Sequence, residues 1–172
     1  MDLDDAMEGV YAAFADVPKP PGVGGCPCCM TDGEYAVLTA KPLCELSAEE
    51  LEKYAGAVFL TMGSEDDYAY FLPRILELSI EDSPNWGSCI EITGKKLRMA
   101  GFDRWSDEKR ASITALWLSV IHDMATSTRD APDLIGFRAS DIEGWLAAAT
   151  LVPIPVSPLT NVLDGFPEII RT

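Results

Sequence analysis

Helix start signals recur along this chain, each followed by an apolar stripe at helical spacing, and this pattern limits the fold more than any other feature. Ser47 with Glu50, Ser88 with Glu91 and Ser140 with Glu143 each have the spacing of a capping box, in which a hydroxyl and a carboxylate satisfy the open N–H groups of a first turn. After Ser47, the residues Leu51, Tyr54, Ala55, Val58, Phe59 and Met62 fall on one helix face, and Gly63 is placed to end the element. Ser64 caps the next helix, whose first turn carries Glu65, Asp66 and Asp67, the charge sign that a helix N-terminus favours. Tyr68, Phe71, Leu72, Ile75, Leu76 and Ile80 form its buried stripe. Pro73 interrupts that stripe, so the helix either kinks there or gives way to a second helix with Pro73 in its first turn.

The same reading extends to both ends. Leu3, Met7, Val10 and Phe14 mark an N-terminal amphipathic helix that stops before Pro18. The run from Pro18 to Gly25 is loop, and a short helix fits 32–40. A helix opened by Ser88 reaches Met99 with Lys95, Lys96 and Arg98 in its last turn, and Gly101 closes it. Ser106 opens a long helix with Ile113, Leu116, Trp117, Val120, Ile121 and Met124 on its core face. Ser140 opens another, with Ile142, Trp145, Leu146 and Ala149 inward, and Ser157-Pro158 begins a last short helix ended by Gly165. No segment alternates with period two, and Pro153 and Pro155 forbid a central strand in 151–156. The expectation is a single all-α domain over 1–172, an irregular bundle or array of about seven helices.

Composition narrows the function. The 172 residues are 48% hydrophobic and 24% charged, an ordinary globular balance, and no apolar run is long enough to span a bilayer. The acidic N-terminus lacks the positive region of a secretory signal, and five cysteines are an odd number, so a cytoplasmic protein with reduced thiols is expected. The net charge of −15 opposes binding to nucleic acid and to anionic membranes. Residues 1–91 carry 18 acidic and 4 basic side chains, whereas 92–172 carry 10 and 9. Such asymmetry gives a molecule a negative face that steers and orients a basic partner. Glu49, Glu50, Glu65, Asp66 and Asp67 are the candidate contacts, with Tyr68, Tyr70 and Trp86 as aromatic anchors. A solvated, charged first turn is the plainer account of the acidic run.

Cysteine chemistry stays open. Cys26, Cys28 and Cys29, with Cys44 as a fourth ligand, are candidates to bind zinc, although the usual second Cys-x-x-Cys pair is missing. Cys26-Pro27-Cys28-Cys29 also has the spacing of a thiol-redox motif, whose usual setting is a strand before and a helix after. The plainest alternative is that these are small hydrophobes pinning a loop. His122, the only histidine, falls off the core face of its helix beside Asp123 and forms no catalytic constellation with it. Gly22 to Gly25 and Gly94-Lys95-Lys96 lack the context of dinucleotide or phosphate loops. No catalytic residue is assigned, and a binding protein is expected rather than an enzyme.

The order of several motifs carries a resemblance. Gly25-Cys26-Pro27-Cys28-Cys29, Pro42-Leu43-Cys44-Glu45-Leu46, Tyr70-Phe71-Leu72-Pro73-Arg74-Ile75-Leu76-Glu77-Leu78, and Lys96 to Phe102 with Trp105 resemble an uncharacterised group of bacterial proteins. The likeness covers roughly 18–125 and is stronger at Cys26 and Cys29 than at Cys28 or Cys44. Small acidic proteins of this type are similar to the immunity proteins that neutralise polymorphic toxins. The resemblance implies an antitoxin-like protein that binds a cognate, basic toxin domain.

Overall fold

The computed structural model describes residues 1–81, 86, 89–130 and 135–164, without the side chains of 128–130, 135–139 and 156. The described residues form eight α-helices: α1 (Leu3–Ala13), α2 (Asp32–Ala40), α3 (Ala48–Ala57), α4 (Glu65–Glu81), α5 (Ile90–Met99), α6 (Asp107–Asp130), α7 (Ile135–Thr150) and α8 (Val156–Leu163). Short 3-10 turns fall at Leu43–Glu45 and Phe102–Arg104. Among the described residues there is no sheet, only isolated bridges from Met62 to Gly25 and to Val58. The fold is all-α, as the stripe pattern implies.

Several helix starts are made by the expected groups. The Ser47 hydroxyl accepts the Glu50 N–H at 3.3 Å while the Ser47 N–H donates to Glu50 at 2.9 Å. Ser64 and Asp67 form the same reciprocal pair, and Ser106 accepts the Lys109 N–H. Thr31 with Glu34 makes a further box at the start of α2. Gly101 adopts a left-handed conformation, φ 72°, just past α5, where a side chain would be strained.

Two boundaries differ from the sequence reading, and the alternative left open at Pro73 is decided. The helix after Ser47 stops at Ala57 rather than continuing through Met62, because Val58 turns extended and Phe59 takes φ 66°. The carbonyl of Thr61 then accepts the Cys26 N–H at 2.9 Å, and the Gly63 N–H reaches Gly24 at 2.9 Å. Backbone groups that a helix would have used are therefore bonded to a distant segment. Pro73 neither ends α4 nor begins a new helix; the helix runs through it with Pro73 buried. Ser140 lies inside α7, which begins at Ile135, so it is not a cap. Ser88 and Gly165 lie outside the described residues, and the N-cap position of α5 is Cys89, with no side-chain cap bond.

The long helix α6 organises the packing, with α1, α7 and α8 against it. Trp117 of α6 and Trp145 of α7 meet edge to face at 4.7 Å, and the Trp117 indole N–H donates to the Trp145 carbonyl at 3.2 Å. Helix α5 rests on α7 with Gly94 at the crossing, where a Cβ would lie 2.9 Å from the Ala148 carbonyl oxygen. Helix α4 packs on α1 and α3, and α2 lies beside α3. The α1–α4 pairing and the junction of the 24–30 loop with the 58–63 turn position the two features that follow.

Candidate functional site

The expected acidic contacts are largely committed to local structure. Glu50 accepts the Ser47 N–H and pairs with Lys41 at 2.6 Å; that ammonium is the first cause holding its carboxyl below the usual range. Asp67 accepts the Ser64 N–H at 2.8 Å, and Glu65 pairs with Arg104 at 2.6 Å. Only Glu49 and Asp66 stand exposed with no ion pair among the described residues. The aromatic anchors need correction as well. Tyr68 is fully buried against Phe59, and Trp86 is 6% exposed, so neither is presented to a partner. Tyr70 is half-buried, its ring 5.0 Å from Phe71. The periodicity that puts Tyr68 on the core stripe of α4 is the signal that excludes it from an interface.

A better-formed acidic feature lies between α1 and the C-terminal part of α4. There, Leu3, Met7, Tyr11 and Ile80 line a groove of about 370 Å³ together with Asp4, Glu8, Glu77 and Glu81. Arg74, which is not among the residues lining the groove, binds Glu77 at 2.6 Å and Glu81 at 3.7 Å. Arg74 also donates to the Leu46 carbonyl at 2.8 Å, which anchors it on the protein side of the groove. The Tyr11 hydroxyl donates to Glu77 at 2.5 Å, and burial followed by that bond pushes its pKa upward. Glu77 is thus held by two donors, while Asp4, Glu8 and Glu81 stay exposed at the rim.

The α4 side of the rim is electrostatically unfavourable as it stands. Glu77 and Glu81 sit in the last turns of α4, which carries no basic residue there, and a helix C-terminus disfavours anions. Asp4 with Glu8 and Glu77 with Glu81 are like charges four residues apart, each pair costing about 0.2–0.5 kcal/mol. The sequence reading did not select these residues. Acidic i,i+4 pairs, one at the end of a helix that prefers cations, were the signal available for finding them.

The cysteines separate into two places. Residues 26–29 form a turn in which the N–H groups of Cys29 and Met30 donate to the Cys26 carbonyl at 2.9 and 3.3 Å. Cys26 and Cys29 are partly exposed and Cys28 is exposed. The N–H of Cys28 and the thiols of Cys28 and Cys29 face the Cys26 sulfur and hold its pKa below the ordinary thiol range. Tyr35 is 9% exposed, its hydroxyl lies against Gly25, and that hydroxyl has no hydrogen-bond partner among the described residues. Cys44 is elsewhere, in the 3-10 turn near Tyr11 and Tyr70. The four-cysteine ligand set is therefore not brought together. Among the described residues no group of three or more His, Cys, Asp or Glu side chains is arranged to hold a metal. The residue before the cysteine turn is extended and bridged to Met62, and α2 follows directly after it. His122 and Asp123 are both exposed on α6. Among the described residues no helix is long and apolar enough to cross a membrane.

No protein-family model matches the chain, and no match is found among curated proteins or solved structures.

Proposed function

We propose that this protein is an immunity-type binding protein that receives a basic segment of a partner protein, a toxin domain, in the groove between α1 and α4. One observation carries the reading: four carboxylates line a groove with apolar side chains, and two of them, Glu77 and Glu81, sit towards a helix end where anions cost stability. Charges kept at the expense of stability are expected where a partner neutralises them. The apolar floor of Leu3, Met7 and Ile80 suits the methylene stem of a lysine or arginine, and the rim suits its charged head. The remaining excess charge of 1–91 adds long-range attraction, which acts on encounter rate and orientation.

Co-expression with the products of the adjacent reading frames tests the proposal. A stable complex is expected, weakened by added salt and weakened further by the substitutions Glu8→Lys and Glu81→Lys. Reversal at Glu49 and Asp66, exposed outside the groove, is expected to leave it nearly unchanged. A complex indifferent to the groove substitutions, or no complex with either neighbour, overturns the proposal.

A further inference from the structure

We infer that Cys26 and Cys29 form a redox-active dithiol that exchanges with a disulfide of a partner molecule, with Cys26 attacking and Cys29 resolving. This does not rest on the groove reading, because it concerns a separate part of the surface. Three independent observations support it. The Cys29 N–H to Cys26 carbonyl bond makes 26–29 a tight turn, which keeps its end Cα atoms within about 7 Å. A disulfide needs a Cα separation of about 4.4–6.8 Å, so the turn brings this pair close to the range in which a disulfide forms. Pro27, at the second position of the turn, presets that conformation. Cys28 is adjacent to Cys29 and is poorly placed to pair with it.

The second observation is Tyr35. Its hydroxyl occupies the space that a side chain on Gly25 would take, 2.2 Å from an ideal Cβ, next to Cys26 in the chain. Tyr35 therefore packs at the base of the cysteine turn and holds the Gly25 backbone in place, which makes it a positioning residue for the dithiol. The third is the anchoring of the loop. The bonds from Cys26 to Thr61 and from Gly63 to Gly24 tie it to the turn containing Phe59 at φ 66°. That turn exposes Leu60 at 73%, an apolar side chain on the segment whose backbone is bonded to Cys26. Left-handed backbone at a bulky residue is strained and persists only where its surroundings enforce it.

The exchange balances. The Cys26 thiolate attacks one sulfur of the partner disulfide, and a mixed disulfide forms as the other partner sulfur leaves and takes a proton from water. The Cys29 thiolate, having lost its proton to water, then attacks the Cys26 sulfur. The Cys26–Cys29 disulfide forms and the second partner sulfur leaves as a thiol. Two electrons pass from the dithiol to the partner disulfide.

The experiment uses the reduced full-length protein with glutathione disulfide as the probe and Cys44 and Cys89, both exposed, as internal references. Peptide mapping is expected to show one disulfide, Cys26–Cys29. Cys29→Ser is expected to trap glutathione on Cys26. In the unmodified sequence, iodoacetamide is expected to label Cys26 about tenfold faster than either reference thiol at neutral pH. Tyr35→Phe is expected to slow that labelling while leaving the helical circular dichroism unchanged. Equal labelling rates, glutathione arriving first on Cys44 or Cys89, or a stoichiometric zinc ion shielding Cys26 would each overturn the inference.

Discussion

Lys96 is the least expected single residue. Its side chain is 5% exposed, and its ammonium donates to the Ala55 carbonyl at the end of α3. Burial lowers its pKa to about 8. The carbonyl end of a helix is a favourable site for a cation, which is why the charge is tolerated there. The lowered value fixes the sign of a pH effect. Between about pH 8 and 10 the unfolded chain keeps a proton on Lys96 that the folded protein has released, so stability rises with pH in that window. Cys26, its pKa also lowered, adds in the same direction up to the ordinary thiol range. Above pH 10 the trend reverses, because Tyr54 and Tyr68 ionise in the unfolded chain while burial opposes ionisation in the folded one. Urea titrations from pH 7 to 10 check this, with Lys96→Met expected to lose most of the rise and Cys26→Ser only part. An unchanged slope in Lys96→Met would show that the ammonium is solvated in the folded state. The sequence alone placed Lys96 in the last turn of a helix; that it lies over Ala55 depends on how α5 meets α3.

At the scale of elements, two glycines in helices give opposite predictions. At Gly94 an added Cβ meets backbone atoms of Ala148 at 2.9 and 3.0 Å, so α5 and α7 must separate. Gly94→Ala is expected to cost about 1–3 kcal/mol. At Gly9, in α1, an added Cβ meets nothing within 4 Å. Gly9→Ala is expected to stabilise by about 0.5–1 kcal/mol, since alanine favours a helix and glycine does not. Thermal melts of the two variants against the parent decide both signs. The element pattern was legible because caps and stripes are local: Ser47 with Glu50 and Ser64 with Asp67 act within one turn. The misread boundaries were decided at longer range. Val58, Phe59 and Met62 are placed by pairing with Gly24–Cys26, which periodicity does not register, although Val58 and Met62 are buried as the stripe implies. Ser140 with Glu143 has the spacing of a cap, yet that spacing occurs equally inside a helix. The turn that carries Cys26 was legible as a loop, but the approach of Tyr35 was not, because it depends on α2 folding back over Gly25.

At the scale of the molecule, the charge imbalance between 1–91 and 92–172 was plain in the sequence. The groove proposed as its working centre was not. Glu50, Glu65 and Asp67 serve caps and ion pairs, whereas Asp4, Glu8 and Glu81 stand exposed where α1 meets the end of α4. This arrangement predicts a trade between stability and binding. Glu81→Lys places a cation at a helix C-terminus and loses only a 3.7 Å contact with Arg74, so thermal stability is expected to rise by about 0.3–1 kcal/mol.

The most direct measurement is the affinity of the neighbour-encoded partner for the parent protein and for Glu8→Lys/Glu81→Lys, at low and high salt. The groove account predicts an affinity loss of tenfold or more, about 1.4 kcal/mol, with a weaker salt dependence and an undiminished melting temperature. Equal affinities and salt slopes for the two proteins would contradict it.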